Sequence, residues 1–454
     1  MLSLLDPVLT LALLATVGVT AFLAARRHPF LGFVTWIAVV CLVPYWFNLT
    51  LGFDWSISAL LAVLLVAALL PVRQARLGLA DAVMAVIIAC YLTASLLGDA
   101  SLGSGVVLLG HWGLGYLLGR ILPERVDMDR VTLVIAFAFS GVAALGIIEF
   151  LTGVNPFVGL AAPGALYETW GPLQERGGVT RVEGAFGHSI AFGCSLALAV
   201  PFVLAARLRS WLRTLMLVLI LTATVLTLSR TAMVCVALAL VLTLAFSRGI
   251  VSGRFAALFA ALGALVAAVL FPFLVSVFES AAEEAEGSAG YRGDLLGLVD
   301  ELELLGQSSA FQRAPDGTTR FGEFDSIDSA LILLGLNHGL LPLALVCALL
   351  VAATVLVAIR RATPATIALV AQIPAFATVA LITQYAILVW FIAGLAVASQ
   401  LATRPKGRDP ALLPGQAHVG AAPPTVPPVS VPREPVPPRS HRLPAGISQK
   451  GTSR

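Results

Sequence analysis

Six side chains of this chain could do chemistry on a phosphorylated ligand: Arg181, Arg230 and Arg292 as cations, Asp325 and Asp328 as carboxylates, and His188 as a base. A guanidinium binds phosphate oxygens through a planar fork and cannot be deprotonated. Two of them held in place, Arg181 and Arg230, would stabilise the charge that develops on a departing diphosphate. A carboxylate or imidazole nearby could orient an acceptor hydroxyl or take its proton. That combination suits transfer of a sugar from a polyprenyl-diphosphate carrier. Outside the cell no nucleotide sugar is at hand, so a lipid carrier has to supply the energy. No DxD-like cluster occurs in the outer loops, and the chemistry is expected to need neither metal nor cofactor.

The spacing around these residues is informative. Arg181 lies in RVEGAFGHS, where Gly184 and Gly187 allow tight turns and His188 opens the next apolar run. Arg230 lies in LTLSRTAM, a turn of about three residues between two apolar runs, so its charge stays close to them. It also opposes the bias that places arginine on the other side of a membrane. The plain alternatives are a snorkelling Arg230 that sets helix depth and a His188 that serves as a structural donor.

The elements that must position these residues are apolar. Hydrophobic residues make up 59% of the 454 and charged residues 12%. The charged share is about half that of a soluble globular chain. The apolar residues come in blocks of about 17–22, the length that spans the hydrocarbon of a bilayer. No period-2 alternation suggests a barrel. The expected fold is all-α, a polytopic membrane bundle of about thirteen helices. The spans are predicted near 7–25, 30–47, 55–71, 79–97, 103–121, 131–151, 188–206, 212–228, 231–247, 255–277, 328–358, 364–381 and 384–402. Arginines mark every second loop: Arg26 and Arg27, Arg73 and Arg76, Arg120 with Arg125 and Arg130, Arg207 with Arg209 and Arg213, Arg248 and Arg254, and Arg360 and Arg361. By the positive-inside rule those loops face the cytoplasm, the N-terminus lies outside and the tail inside. Only Asp6 is charged before the first apolar run, so no cleavable signal is expected. The five cysteines all fall inside apolar runs and read as small core residues.

The bundle is expected over 1–402, interrupted by two long outer loops at 152–187 and 278–327. Loops of this length are uncommon unless functional or internally structured. In the second, Leu295, Leu296, Leu298, Val299, Leu302, Leu304 and Leu305 recur near helical spacing among acidic residues, which predicts a short amphipathic helix at the interface or a lid packed on the bundle. The apolar run 327–359 is long for one crossing and is interrupted by Asn337, His338, Gly339 and Pro342, so either one helix projects beyond the bilayer or a short half-helix enters from outside and then continues. The Pro-rich basic segment 403–454 cannot bury a core and is expected to be a disordered cytoplasmic tail, with membrane lipid or an envelope-assembly protein as a possible partner.

Four segments carry a family resemblance: RVEGAFGHSIAFGCSLALAVPFVL, LTATVLTLSRTAMVCVALALV, YRGDLLGLVDELELLG, and FDSIDSALILLGLNHGLLPLALV after the long loop. In this order the chain resembles, over about residues 130–400, the O-antigen ligase and O-antigen polymerase superfamily of bacterial envelope glycosyltransferases. The resemblance implies a GT-C-like bundle in the cytoplasmic membrane and metal-independent inverting transfer from a polyprenyl-diphosphate-linked oligosaccharide, such as an undecaprenyl diphosphate, to a glycan or lipid acceptor. It implies that Arg181 and Arg230 hold the diphosphate and that Asp328 assists the acceptor, with Arg292 as a weaker candidate; His188 and Asp325 are further substrate-binding candidates by residue type and position. The chain departs from the family at Ser326-Ile327-Asp328-Ser329, where many members carry a His-Asn pair and polymerases often carry Asp. Polymerase and ligase both stay open. A transporter of lipid-linked sugars and a scaffold docking through its tail are the rival classes. The candidate residues cluster at span ends rather than the midplane, and no internal repeat is evident, which disfavours the transporter.

Overall fold

The structure is a computed structural model that describes residues 7–50, 52–72, 76–162, 164–246, single positions between 253 and 279, residues 290, 291 and 293–313, and residues 319–403. The predicted span 255–277 falls largely outside the described residues, and the tail from residue 404 and Arg292 lie wholly outside them.

The described chain is mostly helical. Helix α1 (Pro7–Arg27) is followed by α2 (Pro29–Leu42), which starts on a proline at its first position, where the missing N–H is harmless. A small hairpin, β1 (Asn48–Thr50) and β2 (Asp54–Ser56), leads into α3 (Ile57–Leu69), capped by the Ser56 hydroxyl accepting from the Ala59 N–H. Helix α4 (Leu79–Leu97) ends at Gly98, whose φ of 86° only glycine adopts readily. Next, α5 (Leu102–Val107), a π-helical turn and α6 (Leu114–Ile121) form one rod, and α7 (Met128–Thr152) closes the first half. The first long loop contains α8 (Ala165–Trp170) and a hairpin of β3 (Glu175–Arg176) and β4 (Val179–Thr180). Helices α9 (Ser189–Ala205), α10 (Ser210–Leu226) and α11 (Arg230–Phe246) follow. After the second long loop, with its hairpin β5 (Phe311–Arg313) and β6 (Thr319–Phe321), come α12 (Ala330–His338), α13 (Leu340–Ala358), α14 (Pro364–Val370), α15 (Ile373–Thr378) and α16 (Thr383–Thr403).

Five of these are long and apolar enough to cross a membrane: α4, the rod Leu102–Glu124, α7, α13 and α16. They mark the chain as a membrane protein. Helices α9 and α16 are apolar on every face and buried on nearly all of them, so they form the centre. Helix α16 crosses α6 at glycines: a Cβ at Gly115 would stand 2.6 Å from the Ile387 carbonyl oxygen, and one at Gly119 or Gly394 would meet the facing backbone still more closely. Small residues let the two backbones touch.

At one end of the helices Arg26 donates to the Leu70 carbonyl, Arg125 to that of Pro71, and Gln400 to that of Arg361. Arg120 pairs there with Asp81 at 3.0 Å, and Arg207 with Asp129 at 2.7 Å. Among the described residues, the loops that carry Arg26, Arg76, Arg120 with Arg125, Arg207 and Arg361 therefore gather together. At the other end Gln384 donates to the carbonyls of Val43 and Ala185, which joins the tops of α16 and α2 to the first long loop.

The run 327–359 is a half-helix that then continues, the second of its two readings: it breaks at Gly339 (φ 95°) into α12 and α13. A helix break leaves backbone groups without partners, and the second loop supplies them. The N–H groups of Leu340 and Leu341 donate to the carbonyls of Glu303 (2.8 Å) and Leu304 (3.1 Å), while those of Gly306 and Ser308 donate to His338 (3.2 Å) and Leu336 (2.8 Å). The amphipathic helix expected in that loop ends as a 3-10 segment, Leu296–Glu301. Its leucines divide: Leu295 and Leu298 join Phe321, Ile327 and Leu336 in a small separate core, and Leu296, Val299 and Leu304 stay exposed.

Candidate functional site

The turn between α10 and α11 is the centre of the candidate site. Leu228 takes a left-handed φ of 50°, which costs a branched residue energy and persists only where surroundings enforce it. Two arginines of the first long loop do so. Arg181 Nε donates to the Thr227 carbonyl at 3.0 Å, and Arg176 Nη1 donates to that of Leu228 at 2.8 Å. These are carbonyls at the C-terminal end of α10, where the helix dipole favours cations. Ser229 Oγ then accepts the Ala232 N–H at 3.2 Å and caps α11. Arg230 is the first residue of that helix and its side chain is exposed.

Arg181 is only 6% exposed and borders a cavity of about 290 Å³ whose walls include Glu149, Asn155, Leu173 and Gly178. Its Nη1 donates to Gln174 Oε1 at 3.2 Å, and the same oxygen accepts the Ser189 hydroxyl. Arg181 is thus held from two sides, with part of its fork spent on the protein itself.

Beneath it lies a carboxylate that residue type and spacing did not single out. Glu149, in the last turn of α7, is buried and accepts the N–H of Glu183 (3.2 Å), the N–H of Gly184 (2.9 Å) and the Asn155 amide (3.0 Å). Gly184 stands at φ 56°, a conformation that glycine permits. Glu183 itself is 0% exposed. Burial, reinforced by the Glu149 charge and opposed by Arg181, pushes its carboxyl up to about 8.

Asp328 reaches the same neighbourhood by a chain of two hydrogen bonds. Thr231, next to Arg230, shares a hydrogen bond with Thr378 at the end of α15 (3.2 Å). The following residue, Val379, accepts the N–H of Ala330 at 3.0 Å. Ser329 caps α12 by accepting the Ile332 N–H at 3.3 Å, which leaves Asp328 exposed just ahead of the helix. Tyr291 leans in from the second loop. Its hydroxyl donates to the Ser326 carbonyl, and its phenol is raised by burial and then by the charges of Asp328 and Asp325.

The structure therefore brings Arg181, Arg230 and Asp328 to the tops of adjoining helices. Asp325 is engaged elsewhere, paired with Arg320 of β6 at 2.5 Å on an exposed face. His188 caps α9, its Nδ1 accepting the Ile190 N–H at 3.1 Å, with the ring edge-on to Trp170 at 6.0 Å. The role is structural, though as an acceptor and not as the donor expected. His338 is buried where α12 breaks, between Tyr91 and Trp112, and faces no candidate residue described so far. Glu149 carried a signal in the sequence, an acid inside an apolar run. Gln174, Arg176 and Tyr291 carried none, because only the folded loops show what they touch. Among the described residues no group of three or more His, Cys, Asp or Glu could hold a metal ion. Comparison of the chain with models of protein families, with curated proteins and with solved structures finds no match in any of the three.

Proposed function

We propose that the chain is an envelope glycosyltransferase, polymerase or ligase, that moves a glycan from a polyprenyl-diphosphate donor to an acceptor hydroxyl at the outer face of the cytoplasmic membrane. The observation that carries the reading is the linkage of the Arg230 and Asp328 segments through Thr231, Thr378, Val379 and Ala330. It sets an exposed cation and an exposed carboxylate on adjoining helix tops. The cation suits a diphosphate leaving group, and the carboxylate suits an acceptor hydroxyl. The gathering of arginine-bearing loops at the opposite end supports an outward-facing site. In this reading Arg181 acts mainly by holding the turn that presents Arg230.

The test is the envelope glycan of cells lacking the protein, complemented with wild type or with Arg230→Ala. Restoration of long or attached glycan by wild type alone supports the reading. Single repeats left without the protein mark a polymerase, and unattached lipid-linked glycan marks a ligase. Precursor accumulating on the cytoplasmic face would replace the reading by a transporter, for which the two arginines would belong to a translocation path.

A further inference from the structure

The second long loop ends against two helices whose outer faces are bare. Gln307 donates to the Asp99 carbonyl at 2.7 Å, just past the last turn of α4, and Glu303 and Leu304 accept the first two N–H groups of α13. Both α4 and α13 are among the helices able to cross a membrane, and most of each is unburied by protein: 28% of the α4 window and 22% of the α13 window are buried. Leu96 and Leu97 at the end of α4 and Leu340 at the start of α13 are exposed, as expected of a surface that faces lipid. The loop adds to that surface. Leu304 is 67% exposed and Leu296 63%, and Val299 is exposed in the same segment, although Leu295 and Leu298 are buried.

We infer that residues 296–304 form a membrane-surface anchor, in which Leu296, Val299 and Leu304 enter the leaflet where α4 ends and α13 begins. The occupant is lipid because the loop leucines continue a face that two membrane-length helices already present. Soluble surfaces rarely carry apolar patches that extend this way. A short helix with one side on protein and the other on the acyl boundary is a common interfacial arrangement. The charges select the headgroup: Asp294, Asp300, Glu301 and Glu303 are all exposed along the same segment. Four carboxylates favour a zwitterionic over an anionic surface. The anchor stands independently of the proposed reaction. It consequently holds the loop residues that staple the α12–α13 break, and Tyr291 upstream of them, at the level of the bilayer.

The test uses the full chain in vesicles of zwitterionic lipid, with a nitroxide placed in turn at Leu296→Cys, Val299→Cys and Leu304→Cys. Leu97→Cys serves as the lipid-side reference and Glu303→Cys as the water-side reference. Cys347, the least buried native thiol, is replaced by alanine. Relaxation by oxygen, which concentrates in lipid, is compared with relaxation by a water-soluble nickel chelate. The expected result is an oxygen-to-chelate ratio at 296, 299 and 304 close to that at 97 and above that at 303. Admixture of anionic lipid should lower the ratio at these positions. A ratio equal to that at 303 overturns the anchor. So does low accessibility to both reagents, which would mean that other parts of the chain or a second copy cover the leucines.

Discussion

Arg181 Nε donates to the Thr227 carbonyl three residues ahead of Arg230, so the more buried arginine holds the turn that presents the more exposed one. The two arginines therefore have separable roles. Arg181→Ala leaves the buried Thr227 carbonyl without its side-chain donor, at a cost of about 1–3 kcal/mol. It is expected to lower both thermal stability and glycan transfer. Arg230→Ala is expected to abolish transfer with the melting temperature nearly unchanged. Equal melting shifts in the two variants would show that Arg230 is structural.

Lysine should not replace Arg230. The ammonium keeps the charge but loses the planar fork, and transfer is expected to fall about tenfold or more for the loss of one charge-assisted hydrogen bond. Rates on a purified lipid-diphosphate donor check this. An unimpaired Arg230→Lys would mean that position 230 supplies charge alone.

Asp328→Asn preserves shape beside the Ser329 cap of α12. A lower maximal rate with donor binding unchanged is expected if the carboxylate serves the acceptor. Loss confined to the yield of folded protein would assign Asp328 to the helix start instead.

Glu183 gives the protein a pH dependence whose sign can be worked out. Its folded carboxyl titrates near 8 against an ordinary 4.5. Between those values the unfolded chain ionises the group while the folded chain keeps it protonated. The unfolded state then binds fewer protons, and stability falls as pH rises. The contribution is fully present below 4.5, declines through the interval and levels above about 8. Thermal unfolding of wild type and Glu183→Gln across this range should show the two converging at low pH, with the variant more stable at high pH. Parallel curves would remove the buried carboxyl from the account.

Gly119 and Gly394 sit where α6 and α16 touch backbone to backbone. Gly119→Ala or Gly394→Ala forces the helices apart, and overpacking of this kind costs about 1–3 kcal/mol or more. Each variant should unfold at lower temperature, whereas Gly141→Ala, whose Cβ would meet nothing within 4 Å, should not.

The sequence by itself determined that the chain is mostly helical and apolar; of the thirteen spans expected, five are, among the described residues, helices long enough to cross a membrane, and the one expected at 364–381 is two short helices, α14 and α15. Block length and the placement of arginines follow from what a bilayer and its charge bias demand, and these are local properties of a chain. Arg181, Arg230 and Asp328 were legible as charges at helix ends for the same reason. The tertiary structure alone decided what each touches. Glu149 meets the Glu183–Gly184 turn across more than thirty positions, and Arg181 meets Thr227 across more than forty. Such partners depend on which helix tops adjoin, and no spacing encodes that. The break at Gly339 was visible as a run too long and interrupted, but its repair by Glu303, Leu304, Gly306 and Ser308 was not. The same holds for His188 and Asp325. Residue type made them candidates, and packing made one a helix cap and the other half of a surface ion pair. The reason is physical: a buried polar group must find a partner, and only the fold determines which one is within reach.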